Sequence, residues 1–240
     1  MITTRSGTVY REQTNQNQIR KFMWLAGLNG VIVGMVGVIA PLFALSLNAS
    51  TFEIGLVAGI LPLGIGLMSI PIGIGIDRIG PKRVFAIGSA LGALGFFLVA
   101  KAENPYWLIL ATAFASPAVP MHFLSIQSDF FHYLNEAGNS KAGWIRAMQM
   151  GGVFAAGPVV GGVLISIVDY RTLYMLVGLS FALLFLLAKG TLSGITEALA
   201  RRSSTHRRPV LEQLKLVFSH PEIAETSLIA LISSSVSSVK

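Results

Sequence analysis

Residues 73–83 read Gly73-Ile74-Gly75-Ile76-Asp77-Arg78-Ile79-Gly80-Pro81-Lys82-Arg83. One carboxylate and three cations are crowded into a stretch flanked by Ile54–Ile76 and Val84–Ala100, both almost wholly apolar. A run of about 20 apolar residues is long enough to cross a bilayer as a helix. The stretch therefore reads as a tight polar turn between two membrane spans. Gly80 permits the turn, and Gly73 leaves room for another helix to press on the first span. A glycine-rich phosphate loop needs a preceding strand and a different spacing, and neither is present.

Working outward, four more spans appear, at Phe22–Leu47, Tyr106–Ile126, Ala147–Val168 and Thr172–Ala188, and a further apolar run covers Ile223–Val239. The fold class is an all-α integral membrane protein, a six-helix transmembrane bundle with part of a seventh helix. The composition agrees: of 240 residues, 53% are hydrophobic and 12% charged, with a mean hydropathy of +0.68. Soluble domains carry roughly 25% charged residues, so an ordinary cytosolic enzyme, a disordered chain and a DNA-binding domain are excluded. With no cysteine and four scattered histidines, no disulfide framework, metal site or cofactor site is expected.

The net charge of +7 suggests nucleic acid until the cations are placed. Fifteen fall on one side: Arg5, Arg11, Arg20, Lys21, Arg78, Lys82, Arg83, Lys141, Arg146, Lys189, Arg201, Arg202, Arg207, Arg208 and Lys215. Only Lys101 and Arg171 lie in the opposite turns. Positive residues mark cytoplasmic loops, so the N-terminus is expected in the cytoplasm, and the charge reads as topology and as contact with anionic lipid. The polar leader is no secretory signal and resembles a mitochondrial presequence only weakly. Asn48-Ala49-Ser50 is a glycosylation sequon too near the membrane to be used.

Polar side chains within spans usually face protein or water. Asn29 in the first span, His122 and Ser125 in the fourth and Gln149 in the fifth are the candidate cavity groups, and spans 1, 4 and 5 the expected interior helices. Spans 3 and 6, with only Ser89 and Ser180 in mid-span, read as able to face lipid. The plainer reading has Asn29 bonding to a neighbouring helix, His122 packed and hydrogen-bonded, and Ser116 and Ser125 bonding back to their own backbone. Glycine pairs at Gly30/Gly34, Gly55/Gly59, Gly88/Gly92 and Gly157/Gly161 allow helices to approach closely, and Pro117 and Pro120 should kink span 4. No paired carboxylates, H-E-x-x-H or G-x-S-x-G sequence occurs in the spans, so an enzyme is not expected.

The turn at 73–83 resembles the signature G-x-x-x-D-R-x-G-x-R/K-R/K of the major facilitator superfamily of transporters, matched by Gly73, Asp77, Arg78, Gly80, Lys82 and Arg83. Gly157-Pro158-Val159-Val160-Gly161-Gly162 resembles the core of its antiporter motif. Asp129 matches an acidic residue that many members carry at the cytoplasmic end of helix 4. The family's helix-4 arginine has no counterpart. The resemblance implies a secondary transporter moving a small-molecule substrate by alternating access, in the direction of proton-coupled efflux. It also implies a charge cluster of Asp77, Asp129 and the loop cations that latches the cytoplasmic side. It divides the chain into a leader (1–21), a six-helix half (22–190), a linker (191–221) with an interfacial helix over Pro209–Phe218, and the start of helix 7 (222–240). A C-terminal six-helix half is then a partner of this one. The alternative is a non-transporting six-helix scaffold or receptor-like module.

Overall fold

The turn at Gly80 organises the first half of the chain. Its φ of 88° and ψ of 153° lie in a region that is essentially glycine's alone. One residue thus ends α2 (Thr51–Ile79) and starts α3 (Pro81–Ala100), with its N–H bonded to the Ile76 carbonyl at 2.9 Å. Pro81 follows at the first helical position, where its missing N–H costs nothing. The computed structural model describes residues 5–137 and 139–191, with side chains over 20–130 and 143–186. The linker helix expected at Pro209–Phe218 and the seventh run lie outside the described residues.

Every described element is helical. Helix α1 (Arg5–Ser46) precedes α2 and α3; then come α4 (Pro105–Ala115), α5 (Ala118–Ala137), α6 (Asn139–Gly151), a π-helical segment (Gly152–Ala156), α7 (Gly157–Ile165) and α8 (Tyr170–Thr191). Among the described residues, five stretches are long and apolar enough to cross a membrane: Arg20–Ser46, Thr51–Ile79, Pro81–Ala100, Pro105–Phe130 and Gly143–Ile165. Tyr170–Leu186 is a shorter apolar helix. Helices cover the six spans read from the sequence over residues 22–188, the sixth as this shorter helix. Helix α1 runs back into the leader as far as Arg5.

Two spans are broken, each at a proline. Span 4 divides into α4 and α5 at Ser116–Pro117. Span 5 passes through the π-helical segment, where the Gly157 N–H reaches back to the Gly152 carbonyl. The proline after it explains this. Pro158 has no N–H and crowds the carbonyl four residues earlier, and a wider turn relieves the clash.

The α1–α2, α3–α4 and α7–α8 turns are closed within their own residues. Asn48 (φ 58°) takes the left-handed conformation after α1, and the Ala49 N–H caps the Ala44 carbonyl at 3.1 Å. Ser50 and Glu53 form a reciprocal capping box at the start of α2. Asn104 Oδ1 accepts the Trp107 N–H at 2.8 Å at the start of α4. Asp169 accepts the Thr172 hydroxyl at 2.7 Å and the Thr172 N–H at 3.1 Å at the start of α8. Those two bonds hold its carboxyl below the ordinary carboxylate range, so the cap is complete at neutral pH and is lost only as pH falls through that lowered value. Asn104→Ala should cost about 1 kcal/mol, seen as a lower midpoint in thermal unfolding monitored by circular dichroism.

Helix α3 lies against α8 and α5 through small residues. A Cβ at Gly92 would strike the Phe181 ring, one at Gly95 would meet Ala115 at 2.7 Å, and one at Gly88 would meet Met121 at 2.7 Å. Phe96 stacks between Phe181 (5.1 Å) and Tyr174 (6.1 Å), and Tyr174 meets Phe43 of α1 at 5.6 Å. Only 22% of the α2 span and of the α6–α7 span is buried, against 50–56% for spans 1, 3 and 4. Span 5 is therefore not an interior helix as a whole. It buries one narrow glycine face, while Phe154, Val159 and Ile167 stand exposed. Span 3 in turn belongs to the interior. The pair Gly55/Gly59 has open space around it, as has Gly73, so no described helix presses on α2 at those positions.

Candidate functional site: a buried polar centre and a charged turn

His122 lies inside the bundle, four residues after the Pro117 break starts α5. Its side chain is fully buried, as are those of Asn29 and Ser89. The ring is held between two aromatic faces, Phe85 at 4.1 Å and 10° and Phe181 at 4.9 Å and 24°. At its edges Nδ1 lies 3.3 Å from Asn29 Oδ1 and Nε2 lies 2.9 Å from Ser89 Oγ. A neutral ring with its proton on Nδ1 satisfies both: Nδ1–H donates to Asn29, and Nε2 accepts the Ser89 hydroxyl. The Ser89 hydroxyl has the Phe85 carbonyl, at 3.0 Å, as its alternative acceptor. One imidazole thus bridges α1, α3 and α5.

The four polar residues singled out in the sequence all lie inside the bundle. Asn29, His122 and Ser125 are 0% exposed and Gln149 is 1% exposed, so none lines an outer face. Asn29 and His122 are directly bonded. Ser116 bonds back to its own helix at Ala113, 2.9 Å away. Ser125 does not: its hydroxyl has no partner, and neither do Asn29 Nδ2 and Gln149 Nε2. Ser89, Phe85 and Phe181 were not legible as members of this centre. A lone serine in an otherwise apolar span was the one available signal.

The turn at Gly80 forms the second region. Asp77 and Arg78 are exposed on the last turn of α2, while Lys82 is half-buried and Arg83 exposed on the first turn of α3. A helix carries partial positive charge at its N-terminus and partial negative charge at its C-terminus. Asp77 at the end of α2 and the two cations at the start of α3 are therefore placed against the local field; Arg78 alone is placed with it. Asp129 is fully buried near the same end of span 4. Asp129 and Arg83 are each engaged in an interaction.

The antiporter-like segment builds the contact between α1 and span 5. A Cβ at Gly30 would collide with the Gln149 carbonyl and one at Gly34 with the Val153 carbonyl. In the reverse direction, Cβ atoms at Gly152 and Gly157 would meet the Gly27 and Val31 carbonyls at 2.8 and 2.6 Å. Glycine Cα–H groups and carbonyls thus face one another across the two backbones, a recurring geometry at close helix crossings. The π-helical segment contributes to it. The Gly157 N–H is bonded to the Gly152 carbonyl and Pro158 has no N–H to give, and the Val153 carbonyl faces Gly34. A Cβ at Gly161 would meet Met35 at 3.1 Å, and one at Gly162 would find open space.

No individual curated protein matches the chain. The model of the family described as Major Facilitator Superfamily matches residues 22–239. That match takes in the charged turn, the buried polar centre and the glycine–proline segment, and on it the chain belongs to the Major Facilitator Superfamily, a family of membrane transporters.

Proposed function

We propose that this chain supplies one six-helix half, residues 22–190, of a secondary active transporter that moves a small solute by alternating access. A second six-helix half completes the cavity, and the basic turns face the cytoplasm in the cell's inner or plasma membrane. The observation that carries this reading is the turn at Gly80. Asp77, Lys82 and Arg83 stand against the fields of their own helices, and such local violations mark functional sites. In the proposed mechanism Asp77 and Arg78 pair across the closing cytoplasmic face, with Asp129 behind them, in one of the two states. The charges bias a two-state equilibrium and need not touch the solute. The segment Gly157–Gly162 supports export, coupled to protons.

The test is uptake and efflux of a panel of small labelled compounds in cells expressing the complete protein or its Asp77→Asn variant, with membrane levels matched by immunoblot. Expression of the native protein should change the accumulation of at least one compound. Asp77→Asn should reduce that flux about tenfold, equivalent to about 1.4 kcal/mol of lost bias. Full flux in a well-expressed variant would remove the latch. A panel whose accumulation never depends on the protein would favour the scaffold reading.

A further inference from the structure

Three buried polar atoms without partners fall in one layer of the half. They are Asn29 Nδ2 on α1, Ser125 Oγ on α5 and Gln149 Nε2 on α6. The packing fixes their level. Helices α1 and α5 are joined by Asn29–His122 and by Phe22–Phe130, whose ring centroids are 5.9 Å apart; Ser125 is then level with Ala26. Between α1 and α6, Gly27 faces Met148 and Gly30 meets the Gln149 carbonyl, so Gln149 is level with residues 27–30. All three orphans therefore lie within about one turn along the membrane normal. Ser125 shares a face of α5 with His122, three residues away. The other two unpartnered atoms, Thr112 Oγ1 and Tyr174 OH, are on α4 and α8 toward the opposite end.

Buried polar groups are almost always hydrogen-bonded, and hydrocarbon offers no solvent to replace a missing partner. Two amide N–H2 groups and one hydroxyl match the bonding capacity of a single water, which accepts two hydrogens and donates two. We propose that the wedge between α1, α5 and α6, at the level of Ala26–Gly30, holds a bound water. It accepts from Asn29 Nδ2 and Gln149 Nε2 and donates to Ser125 Oγ. The other species such donors suit is a halide. With the water in place, Ser89, His122, Asn29, Gln149 and Ser125 form one hydrogen-bonded chain across four helices. This inference is independent of what the protein transports.

The test uses the purified chain in lipid nanodiscs with Ser125→Ala, Gln149→Met and the double variant. Asn29 is left intact because it also serves His122. A shared water makes the two sites interdependent: each single variant should lower the melting temperature by about 2–4 °C, and the double should fall no further than the worse single. Additive effects, or singles that melt higher because an orphan has been removed, would overturn the proposal. A second measurement does not depend on variants. Water-edited NMR of the native chain should show transfer from water to the side-chain amides of Asn29 and Gln149, and absence of transfer at both rejects the water. Exchange of chloride for gluconate should leave the melting temperature unchanged; a fall would assign the wedge to a halide instead.

Discussion

Gly34→Val should prevent the half from assembling, whereas Gly37→Val, three residues along the same helix, should be tolerated. The added Cβ at Gly34 collides with the Val153 carbonyl and comes within 2.9 Å of the Gly152 carbonyl oxygen. Both obstacles are backbone, so no rotamer change relieves them. Helices α1 and span 5 must move apart, and separation breaks the reciprocal contacts at Gly30, Gly152 and Gly157 as well. Overpacking a close contact costs about 1–3 kcal/mol at a single yielding site; here the whole crossing is lost, and the expected cost is at least about 3 kcal/mol by the same reasoning. Gly37 has open space within 4 Å of its Cβ position. The check is the monodisperse fraction after detergent extraction, compared between the two variants at equal expression. Equal recovery of both would show that the crossing is looser than the structure has it.

Gly80→Ala should destabilise the α2–α3 turn and displace its charges. At φ 88° and ψ 153° an alanine is strained by about 1–3 kcal/mol. The residue is also buried and joins the two helices without an intervening linker, so the strain has no loop in which to relax. Relief by rotating φ would swing Lys82 and Arg83 away from Asp77. Two readouts should move together: a lower thermal midpoint, and faster protease cleavage at Arg78, Lys82 or Arg83 in inside-out vesicles. A midpoint unchanged within error would mean that the turn adopts another conformation in the membrane.

Much of this architecture was readable from residue order alone. The spans follow from apolar length, the turn from Gly80, and the division of span 4 from Pro117, because each depends on local chemistry. Pro158 was visible in span 5, but the π-turn before it was not. Whether a helix kinks or widens into a π-turn depends on what its carbonyls meet, and the Val153 carbonyl meets Gly34, more than a hundred residues away. The polar centre was half legible. Asn29 and His122 stood out as polar groups in apolar runs. Ser89 did not, since its part depends on α5 crossing α3 at Gly88. Likewise span 5 looked interior because it carries Gln149, yet a helix can bury one polar residue behind a single face of glycines and leave the rest of its surface outward. The charges at the turn were visible as a motif, and their conflict with the helix fields became visible only once Gly80 was seen to end one helix and begin the next.

The side-chain caps at Ser50, Asn104 and Asp169 bear on the order of assembly. Each closes a turn from within its own few residues. The pairs α1–α2 and α3–α4, and span 5 with α8, therefore need no neighbouring helix to complete the backbone of their connecting turns. Each pair can form as a hairpin soon after its second helix is made. The crossing of α1 with span 5 joins segments far apart in the chain and must wait for the third pair. The glycine face on α1, like the face of α3 that meets α8, is then covered late, and a substitution there would arrest assembly with the hairpins already formed.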